Sequence, residues 1–282
     1  MILSFHPCYV ADVNRLCAGR PPDENDRAAV RAADAVVLPQ GCRERLYRMA
    51  RENCAHVFPN YDMRFQFPGK TGQARFFQHL QVPHPQTWVF EDAQEFKRRG
   101  IPLAEAALPV VFKLDWGGEG EAVALLRSAA DLADACSSAK AYERSGQRGI
   151  VLQEFIPGQN RTLRVVVIGQ SFQAYWRVQD NPLVFGTSVA NGARIDASSD
   201  PLLCQAGISM VRRLCRRSAI NLAGFDLIFG GREHAEPLFL EINYFFGRTG
   251  LGGSTAFYAM LQREIDAWLD ALGLGAGRVS RK

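Results

Sequence analysis

The chain has 282 residues, of which 47% are hydrophobic and 22% are charged. This composition predicts a globular protein with a sizeable core and excludes a disordered or fibrous chain. Thirty-three basic and 29 acidic residues give a formal net charge of +4, which is too mild and too dispersed to indicate nucleic-acid binding.

Seven cysteines, an odd number, show neither a CxxC pair nor the Cys/His spacing of a zinc site. We therefore expect reduced thiols and a cytoplasmic location. Residues 1–12 lack the basic and apolar regions of a signal peptide. No apolar run approaches the ~20 residues of a membrane span, so we expect no membrane partner.

The first part of the chain alternates short apolar strands with helices, which favours an α/β unit with a parallel sheet. Strands are predicted at 2–5, 35–38 and 56–58, and helices near 27–33 and at 43–51. Phe67-Pro68-Gly69-Lys70 ends this unit and opens a helix that continues to Leu80. We place an N-terminal lobe at residues 1–68.

A central lobe is predicted at residues 69–156. Its further strands are expected at 85–90, 108–114 and 150–153, and its further helices near 92–99 and at 128–139. The remaining residues, 157–282, form a C-terminal lobe. It is predicted to contain strands at 163–168 and 172–178, a helix at 202–217, a hairpin within 224–243 and an amphipathic helix at 257–272.

Three oxygen-bearing side chains lie on the hairpin within 224–243. Asp226 is on its first strand, and strict alternation on the second strand puts Glu241 and Asn243 on one face and Leu240 on the other. Two carboxylates and an amide oxygen suit Mg²⁺, because it prefers hard oxygen ligands. The alternative is that nearby arginines satisfy the two carboxylates.

The strand at 108–114 carries Lys113 and leads into a loop with Gly117, Gly118 and Gly120. Glycines let backbone N–H groups approach phosphate oxygens closely, and a lysine on the preceding strand adds a positive charge. The alternative is a glycine-rich hairpin beside a lysine whose stem covers apolar surface. Neither the GxGxxG pattern nor a complete P-loop is present.

The next apolar strand ends at Pro157 with Gln153, Glu154, Phe155 and Ile156 before it. Its backbone groups and apolar side chains could hold an adenine ring, although an ordinary strand end fits the pattern as well.

Three arginines are candidates for catalysis. Arg164 and Arg177 lie on the two strands of a predicted hairpin, and Arg248 lies in the glycine-rich loop after Asn243. Arginine binds carboxylates and phosphates in fixed geometry, so arginines that face a cleft would bind a substrate acid. Solvated strand arginines and a flexible connecting loop are the alternatives.

Taken in order, these residues resemble the ATP-grasp superfamily, in particular its RimK-like and glutathione synthetase-like ADP-forming ligases. The resemblance rests on Lys70, Lys113 with its glycine loop, Gln153-Glu154-Phe155-Ile156, Arg164, Arg177, Asp226 and Glu241-x-Asn243. It implies an α/β ATP-grasp fold, with a short N-terminal lobe and two lobes that enclose a nucleotide cleft. The similarity extends from about Val36 to Asn243.

The resemblance also implies the role of each residue. Lys70 and Lys113 would bind nucleotide phosphates under the glycine loop, and residues 153–156 would contact adenine. Asp226, Glu241 and Asn243 would hold a pair of Mg²⁺ ions, for which Mn²⁺ could substitute. Arg164 and Arg177 would face an acyl phosphate, and Arg248 would be a further cation at the reacting end of the substrate.

The implied activity is an ATP-dependent, ADP-forming ligation of a carboxylate to an amine, or less often to a thiol, on a small molecule or a peptide end. Homo-oligomerisation stays open. Two alternatives use the same cleft: a small-molecule kinase, and a nucleotide-binding regulatory protein that has lost catalysis.

The chain departs from the family pattern near the expected ribose contact. Thr162 stands where relatives often carry an acidic residue, and Asn160 is the nearest polar substitute. The residues after Arg177 echo the family pattern only loosely, so the sequence does not assign the acceptor.

Overall fold

Three β-sheets follow one another along the chain. The computed structural model describes them within residues 1–117, 122–157, 160–230 and 236–275. In these ranges no helix has both the length and the apolar character that a membrane span requires.

The first sheet is parallel, as its alternating pattern predicted, with the strand order β2-β1-β3-β4. Its elements are β1 (Ile2–Ser4), β2 (Val13–Asn14), α1 (Glu24–Arg31), β3 (Ala35–Val37), α2 (Glu44–Asn53), β4 (Val57–Phe58) and α3 (Asp62–Gln66). The α1 helix starts at a capping box, in which the Asp23 carboxylate accepts the Asp26 N–H and the Asp26 carboxylate accepts the Asp23 N–H. The β2 strand was not predicted from the sequence, because it is only two residues long and partly exposed.

The second sheet is antiparallel, with the strand order β5-β8-β6-β7. Its region contains α4 (Gly69–Leu80), β5 (Thr87–Phe90), α5 (Ala93–Glu95), α6 (Ile101–Ala106), β6 (Val110–Leu114), β7 (Val123–Leu126), α7 (Ala129–Arg144) and β8 (Ile150–Glu154). The sequence Val-Ala-Leu-Leu of β7 is as compatible with a helix as with a strand, so periodicity did not detect it.

The helix predicted at 92–99 is longer than expected. A π-helical turn at Phe96–Gly100 joins α5 to α6, and the Ile101 N–H donates to the Phe96 carbonyl. Pro102 has no N–H to donate to the preceding turn, and this break in the regular ladder accompanies the wider turn.

The third sheet is antiparallel, with the strand order β11-β10-β9-β12-β13. Its region contains β9 (Arg161–Ile168), β10 (Ser171–Val178), β11 (Arg194–Asp196), α8 (Pro201–Ser218), β12 (Leu222–Ile228), β13 (Leu238–Asn243) and α9 (Gly253–Ala271). The central strand, β9, is buried from Thr162 to Ile168, so both faces of the sheet are covered there. The predicted turn of the β12–β13 hairpin at 230–233 lies mostly outside the described residues.

Two hydrophobic cores support these sheets. One runs continuously from the first sheet to the third, and the other belongs to the central sheet. Phe58 packs against Trp268 of α9 with ring centroids 5.6 Å apart, and Phe77 of α4 packs against Phe239 of β13 at 5.5 Å. The first and third sheets therefore share one core, while the lobe boundaries at 68/69 and 156/157 stay predictions.

The start of α4 is attached to the end of β6. The Asp115 carboxylate accepts the Thr71 N–H at 2.7 Å, and the Lys70 N–H donates to the Asp115 carbonyl at 3.2 Å. Gly69 adopts φ +68°, and a Cβ there would lie 2.2 Å from an Asp115 carboxylate oxygen. Only glycine tolerates both the positive φ and the close approach of the Asp115 carboxylate. Gly69 therefore allows the contact that brings Lys70 close to β6.

We expect Gly69→Ala to destabilise the protein by roughly 2–4 kcal/mol, because it adds left-handed backbone strain and displaces the Asp115 cap. Gly146→Ala is the matched control, since Gly146 has φ +85° and nothing within 4 Å of an added Cβ. It should cost only about 1–2 kcal/mol of strain. Urea unfolding followed by circular dichroism measures both, and equal losses would remove the proposed steric role of Asp115.

Candidate functional site

A cavity of about 900 Å³ lies between the central and third sheets. It is lined by every candidate side chain that the structure describes except Arg248. These are Lys70, Lys113, Gly117, Gln153, Glu154, Phe155, Ile156, Asn160, Thr162, Arg164, Arg177, Asp226, Glu241 and Asn243. The predicted Gly118 and Gly120 lie outside the described residues.

One part of the cavity wall is apolar. Phe155 and Phe185 place their ring centroids 6.3 Å apart at the exit of β8. Side chains from both sheets complete this wall: Val111, Val123, Leu125, Ile228 and Leu240. These residues could not be identified from the sequence, because the pattern of an apolar residue on a strand is the same whether it faces a core or a cleft.

The β13 strand departs from the alternation predicted for it. Asp226 pairs with Glu241, whereas Leu227 pairs with Phe239, so Leu240 is an extra residue in a β-bulge. Leu240 therefore lines the cavity together with Glu241, and Phe239 is fully buried in the core. The prediction that Leu240 and Glu241 lie on opposite faces is wrong because the bulge shifts the alternation by one residue.

Asp226 is the most heavily paired side chain of the site. Its Oδ1 accepts from Arg164 Nε at 2.5 Å, and its Oδ2 accepts from Arg164 Nη2 at 3.0 Å. Arg177 Nη2 lies 2.8 Å from Oδ1, and Asn243 Nδ2 donates to Oδ2 at 3.2 Å. In this structure arginines therefore satisfy the Asp226 carboxylate, as the alternative to a Mg²⁺ site predicted.

Burial raises the pKa of Asp226, but the charges of Arg164 and Arg177 outweigh it and bring the pKa below its ordinary value. Asp226 and Arg164 are only 5% and 6% exposed, so their pairing is little screened by solvent. Asp226 is therefore ionised at neutral pH, and the site contains two guanidinium groups fixed around it.

Glu241 lies beside Asp226 across the two strands, and none of the described residues forms a hydrogen bond or ion pair with its carboxylate. Burial lowers the pKa of Lys113 to about 8, with the Glu241 carboxylate acting in the opposite direction and Lys70 adding to the decrease. Lys113, Lys70 and Glu241 are thus close enough for their charges to act on one another.

Both lysine amines are held by neutral oxygen atoms. Lys113 Nζ donates to Gln153 Oε1 at 2.7 Å, and Gln153 Nε2 donates to Thr87 Oγ1 at 3.0 Å. Lys70 Nζ donates to the Gly117 carbonyl at 2.9 Å. Neither lysine has a carboxylate partner among the described residues within ion-pair distance, so both charges can act on an anion in the cavity.

Thr162 and Asn160 lie on the same side of the cavity. Thr162 Oγ1 is 2.5 Å from Thr187 Oγ1 and accepts from Arg177 Nη2 at 3.2 Å. Asn160 Nδ2 donates to the Gln179 carbonyl at 2.7 Å. Both polar groups therefore hold neighbouring protein segments in place here.

Arg248 is the predicted site residue that the structure places elsewhere. Its guanidinium carbon lies 4.5 Å from the ring centroid of Tyr258 and 4.7 Å from that of Phe257. Gly247 and Thr249, its two neighbours, line the cavity. Arg248 lies in a helical backbone conformation just before a 3₁₀ turn, its side chain packs against α9, and its charge acts on His6. Its catalytic role stays a prediction.

Tyr175 is a lining residue that the sequence did not single out. It pairs with Arg164 across β10 and β9, and its side chain is buried. Burial raises its pKa, and Arg164 and Arg177 act in the opposite direction. A Cβ on Gly250 would lie 2.3 Å from the Tyr175 ring, so the glycine at 250 allows this ring to pack against the loop.

Comparison with known proteins gives the family. The model of the RimK-like ATP-grasp domain matches residues 73–257, more than half of the chain. The chain belongs to the RimK-like ATP-grasp family. This confirms the resemblance drawn from the ordered residues, together with the ATP-grasp fold that it implied. A search of curated proteins found no match.

Solved ATP-grasp structures share the fold at low sequence identity. A RimK-domain ATP-grasp protein from Sphaerobacter thermophilus is 17% identical, with a TM-score of 0.61 over 93% of this chain and 98% of its own. D-Cycloserine synthetase DcsG is 14% identical, with a TM-score of 0.62 over 95% and 99% of the two chains. The N5-carboxyaminoimidazole ribonucleotide synthetase purK is 14% identical, with a TM-score of 0.59. That match covers 86% of this chain but only 62% of the synthetase.

The residues of this ATP-grasp site suit a hard cation. Among the described residues no three His, Cys, Asp or Glu side chains are grouped to hold a metal ion. The metal ligands predicted from the sequence are instead two carboxylates and the Asn243 amide. These three groups lie together on the paired strands β12 and β13. The Glu241 carboxylate has no partner among the residues that the structure describes, and its oxygen atoms match the preference of Mg²⁺ for carboxylate ligands.

We expect Lys113 to lose its proton near pH 8, whereas an exposed lysine does so near 10.4. The folded pKa is below the unfolded one, so the contribution of Lys113 to stability becomes more favourable as the pH rises from 8 towards that unfolded value. NMR titration of ¹³C-labelled lysine measures the pKa, and Lys113→Arg identifies the signal by its loss. A midpoint above pH 10 would contradict the burial of this amine.

We expect Gly250→Ala to displace the Tyr175 ring and to cost roughly 1–3 kcal/mol of stability, as over-packing does. Gly247→Ala in the same loop is the control, because nothing lies within 4 Å of a Cβ added there. Urea unfolding compares the two variants. Equal stability would show that the loop absorbs the added methyl group without moving Tyr175.

Proposed function

We propose that this ATP-grasp protein is an ADP-forming carboxylate-amine ligase, acting through an acyl phosphate on a small molecule or a peptide end. A carboxylate-thiol ligation is the same chemistry with another nucleophile. The observation that carries the proposal is the single cavity in which an apolar wall adjoins two lysines, two arginines and the Asp226-Glu241-Asn243 set.

The apolar wall is the place for the adenine ring. Phe155 and Phe185 lie at one side, and Val111 and Leu240 come from the two sheets that enclose the cavity. An adenine stacked here would meet the backbone that leaves β8, whose N–H and C=O groups suit the edge of the base. Asn160 and Thr162 are the nearest candidates for the ribose.

The lysines suit the nucleotide phosphates. Lys70 and Lys113 come from α4 and β6, which the Asp115 cap holds together. Because the partners of both amines among the described residues are neutral oxygens, phosphate oxygens can replace those partners without breaking an ion pair between them. The Lys113 pKa of about 8 keeps most of this charge at neutral pH.

Asp226, Glu241 and Asn243 would hold Mg²⁺, which supplies charge neutralisation at the phosphates when bound. Arg164 on β9 and Arg177 on β10 lie on the other side of β12 from Glu241. They would bind the transferring phosphoryl group and the substrate acid. Such a site needs fixed cations more than a proton-transferring side chain, because phosphoryl transfer depends mainly on positioning and electrostatics.

The reaction has two balanced steps. A substrate carboxylate oxygen attacks the γ-phosphorus of ATP, the bond to the β-phosphate oxygen breaks, and ADP leaves. An amine nitrogen then attacks the carbonyl carbon of the acyl phosphate, the carbon–oxygen bond to phosphate breaks, and inorganic phosphate leaves. The amine proton passes to phosphate or solvent, and an amide remains.

ADP release from Mg·ATP, screened against pooled carboxylic acids and amines and followed by mass spectrometry of the products, tests the proposal. Ligation predicts ADP, free phosphate and a condensation product only when acid and amine are both present. A stable phosphorylated product without condensation would identify a kinase instead. Mg·ATP binding without any turnover would favour the regulatory alternative.

We expect Asp226→Asn and Glu241→Gln each to lower ATP turnover by at least ~100-fold, because each removes a carboxylate that faces the phosphates. Glu241→Gln is the cleaner variant, since Glu241 forms no ion pair within the described part of the chain, whereas Asp226 pairs with Arg164 and Arg177. Asp134→Asn and Glu105→Gln, both on exposed helix surfaces outside the cavity, are the controls. Unchanged turnover in a folded Glu241→Gln protein would remove Glu241 from the metal site.

A further inference from the structure

The α4 helix is attached to the strand that carries two of the predicted metal ligands. Gln73 of α4 forms two hydrogen bonds with the backbone of Ile242 on β13. Its Nε2 donates to the Ile242 carbonyl at 2.8 Å, and its Oε1 accepts the Ile242 N–H at 2.8 Å. Ile242 lies between Glu241 and Asn243 in the chain, so this contact holds the backbone at the centre of the predicted metal site.

The donor and acceptor groups fix the orientation of the Gln73 amide. A backbone N–H only donates and a carbonyl oxygen only accepts, so the amide fits Ile242 in one way. Because both bonds form at once, the helix can neither slide along β13 nor rotate away from it without breaking one of them. A shorter or an apolar side chain at position 73 cannot make this pair of bonds.

The β13 strand is the outermost strand of the third sheet. The Ile242 N–H and C=O bind Gln73, so they point to the side of β13 that has no neighbouring strand. Ile242 is only 3% exposed, and buried backbone groups without a partner are costly. The Phe239 N–H, further back on β13, donates to the Pro83 carbonyl at 2.9 Å. Gln73 thus takes the place that the backbone of a further strand would occupy.

The same part of α4 carries Lys70. Lys70 and Gln73 are three residues apart, a spacing that puts two side chains next to each other on a helix. Lys70 lines the cavity, whereas Gln73 is not among its lining residues. One turn after Gln73, Phe77 packs against Phe239 of β13. The helix therefore contacts β13 at two points, while its first turn reaches the cavity.

The first turn of α4 is also bound to the central sheet. The Asp115 cap binds the Lys70 and Thr71 N–H groups, and Asp115 comes two residues after Lys113 on β6. The helix therefore connects the strand of Lys113 with the strand of Glu241. Its two attachments, to Asp115 and through Gln73, set the distance between the two lysines and the predicted metal ligands.

A nucleotide with a bound cation depends on that distance. Its phosphate oxygens would bind the two lysines on one side and share the cation with Glu241 and Asn243 on the other. Mg²⁺ tolerates little deviation from its coordination geometry. A displacement of β13 relative to the lysines therefore weakens the joint binding of metal and nucleotide more than it weakens the binding of the nucleotide alone.

We propose that Gln73 is a positioning residue, which couples the binding of the metal ion to the binding of the nucleotide. The inference rests on the proposed function and adds to it a residue outside the cavity. Gln73 acts through the backbone of Ile242, which holds Glu241 and Asn243 at a set distance from the two lysines. It touches neither the metal ion nor the nucleotide itself.

Calorimetric titration of ADP into the full chain, once with Mn²⁺ and once with EDTA, measures this coupling. The ratio of the two ADP affinities is the gain that the metal ion provides. Gln73→Met keeps the length of the side chain without its polar atoms. We expect it to lower the ratio at least ~10-fold, because small displacements of binding groups have effects of that order. The ADP affinity in EDTA should stay that of the wild type.

Gln78→Met is the matched control. Gln78 lies on the same helix, and its Nε2 donates to the Thr87 carbonyl of β5 at 3.1 Å. The β5 strand contributes none of the residues that line the cavity, so the ratio should not change. Gln73→Asn is the second variant. It retains the amide but is one methylene too short to hold Ile242, and it should lower the ratio as Gln73→Met does.

Hydrogen exchange followed by NMR gives a local readout of the contact. The Ile242 N–H should exchange faster in both Gln73 variants, because it loses its acceptor. The Phe239 N–H is the internal reference, since its acceptor is the Pro83 carbonyl, and its exchange should not change.

The outcomes separate this inference from the proposed function. Faster exchange at Ile242 with an unchanged ratio would overturn the inference, since the contact is then lost without any effect on the ligands. An equal loss of ADP affinity with Mn²⁺ and with EDTA, or failure of both Gln73 variants to fold while Gln78→Met folds, would reduce Gln73 to a structural residue and overturn it as well. Equal ADP affinities with Mn²⁺ and EDTA in the wild type would instead overturn the metal site of the proposed function, and this inference with it.

Discussion

The ion pair between Asp226 and Arg164 is the constraint on which the site depends. The two residues face each other on neighbouring strands in the middle of an apolar sheet, where an unpaired charge would be costly. Removal of one partner from such a buried pair typically costs about 3–5 kcal/mol. The pair therefore holds one carboxylate and one guanidinium at fixed positions on the cavity wall, and Arg177 and Asn243 are arranged around them.

The rest of the fold brings other charges to this fixed pair. The shared core of the first and third sheets supports the Asp226 side of the cavity, and the separate core of the central sheet supports Lys113. The α4 helix connects the two halves, since Phe77 packs on the third sheet while the start of the helix is capped by Asp115 from the central one. Lys70 and Lys113 therefore face Glu241 across a cleft between two independent cores, an arrangement that suits the binding of a polyanion with an apolar end.

Much of this arrangement was predictable from the sequence. The parallel first sheet, the β12–β13 hairpin and the ATP-grasp family followed from alternating patterns and from the order of a few polar residues. Leu240 and Arg248 were not predictable, because a bulge and a loop direction depend on packing rather than on periodicity. Nor was the Asp115 cap, which joins residues far apart in the chain. The cytoplasmic location stays a prediction from the sequence.

The amino-acid sequence is enough to place Lys113, Asp226 and Glu241 on particular strands, and to show that carboxylates on apolar strands need cations nearby. Which cations lie beside which carboxylate depends on how the lobes pack. The tertiary structure paired Asp226 with Arg164 and Arg177, left Glu241 facing the lysines, and turned Arg248 away from the cavity towards His6 and Tyr258. The physical reason is that charge pairing acts over a few ångströms in space, and distances of that kind between separate lobes are set by how their cores pack.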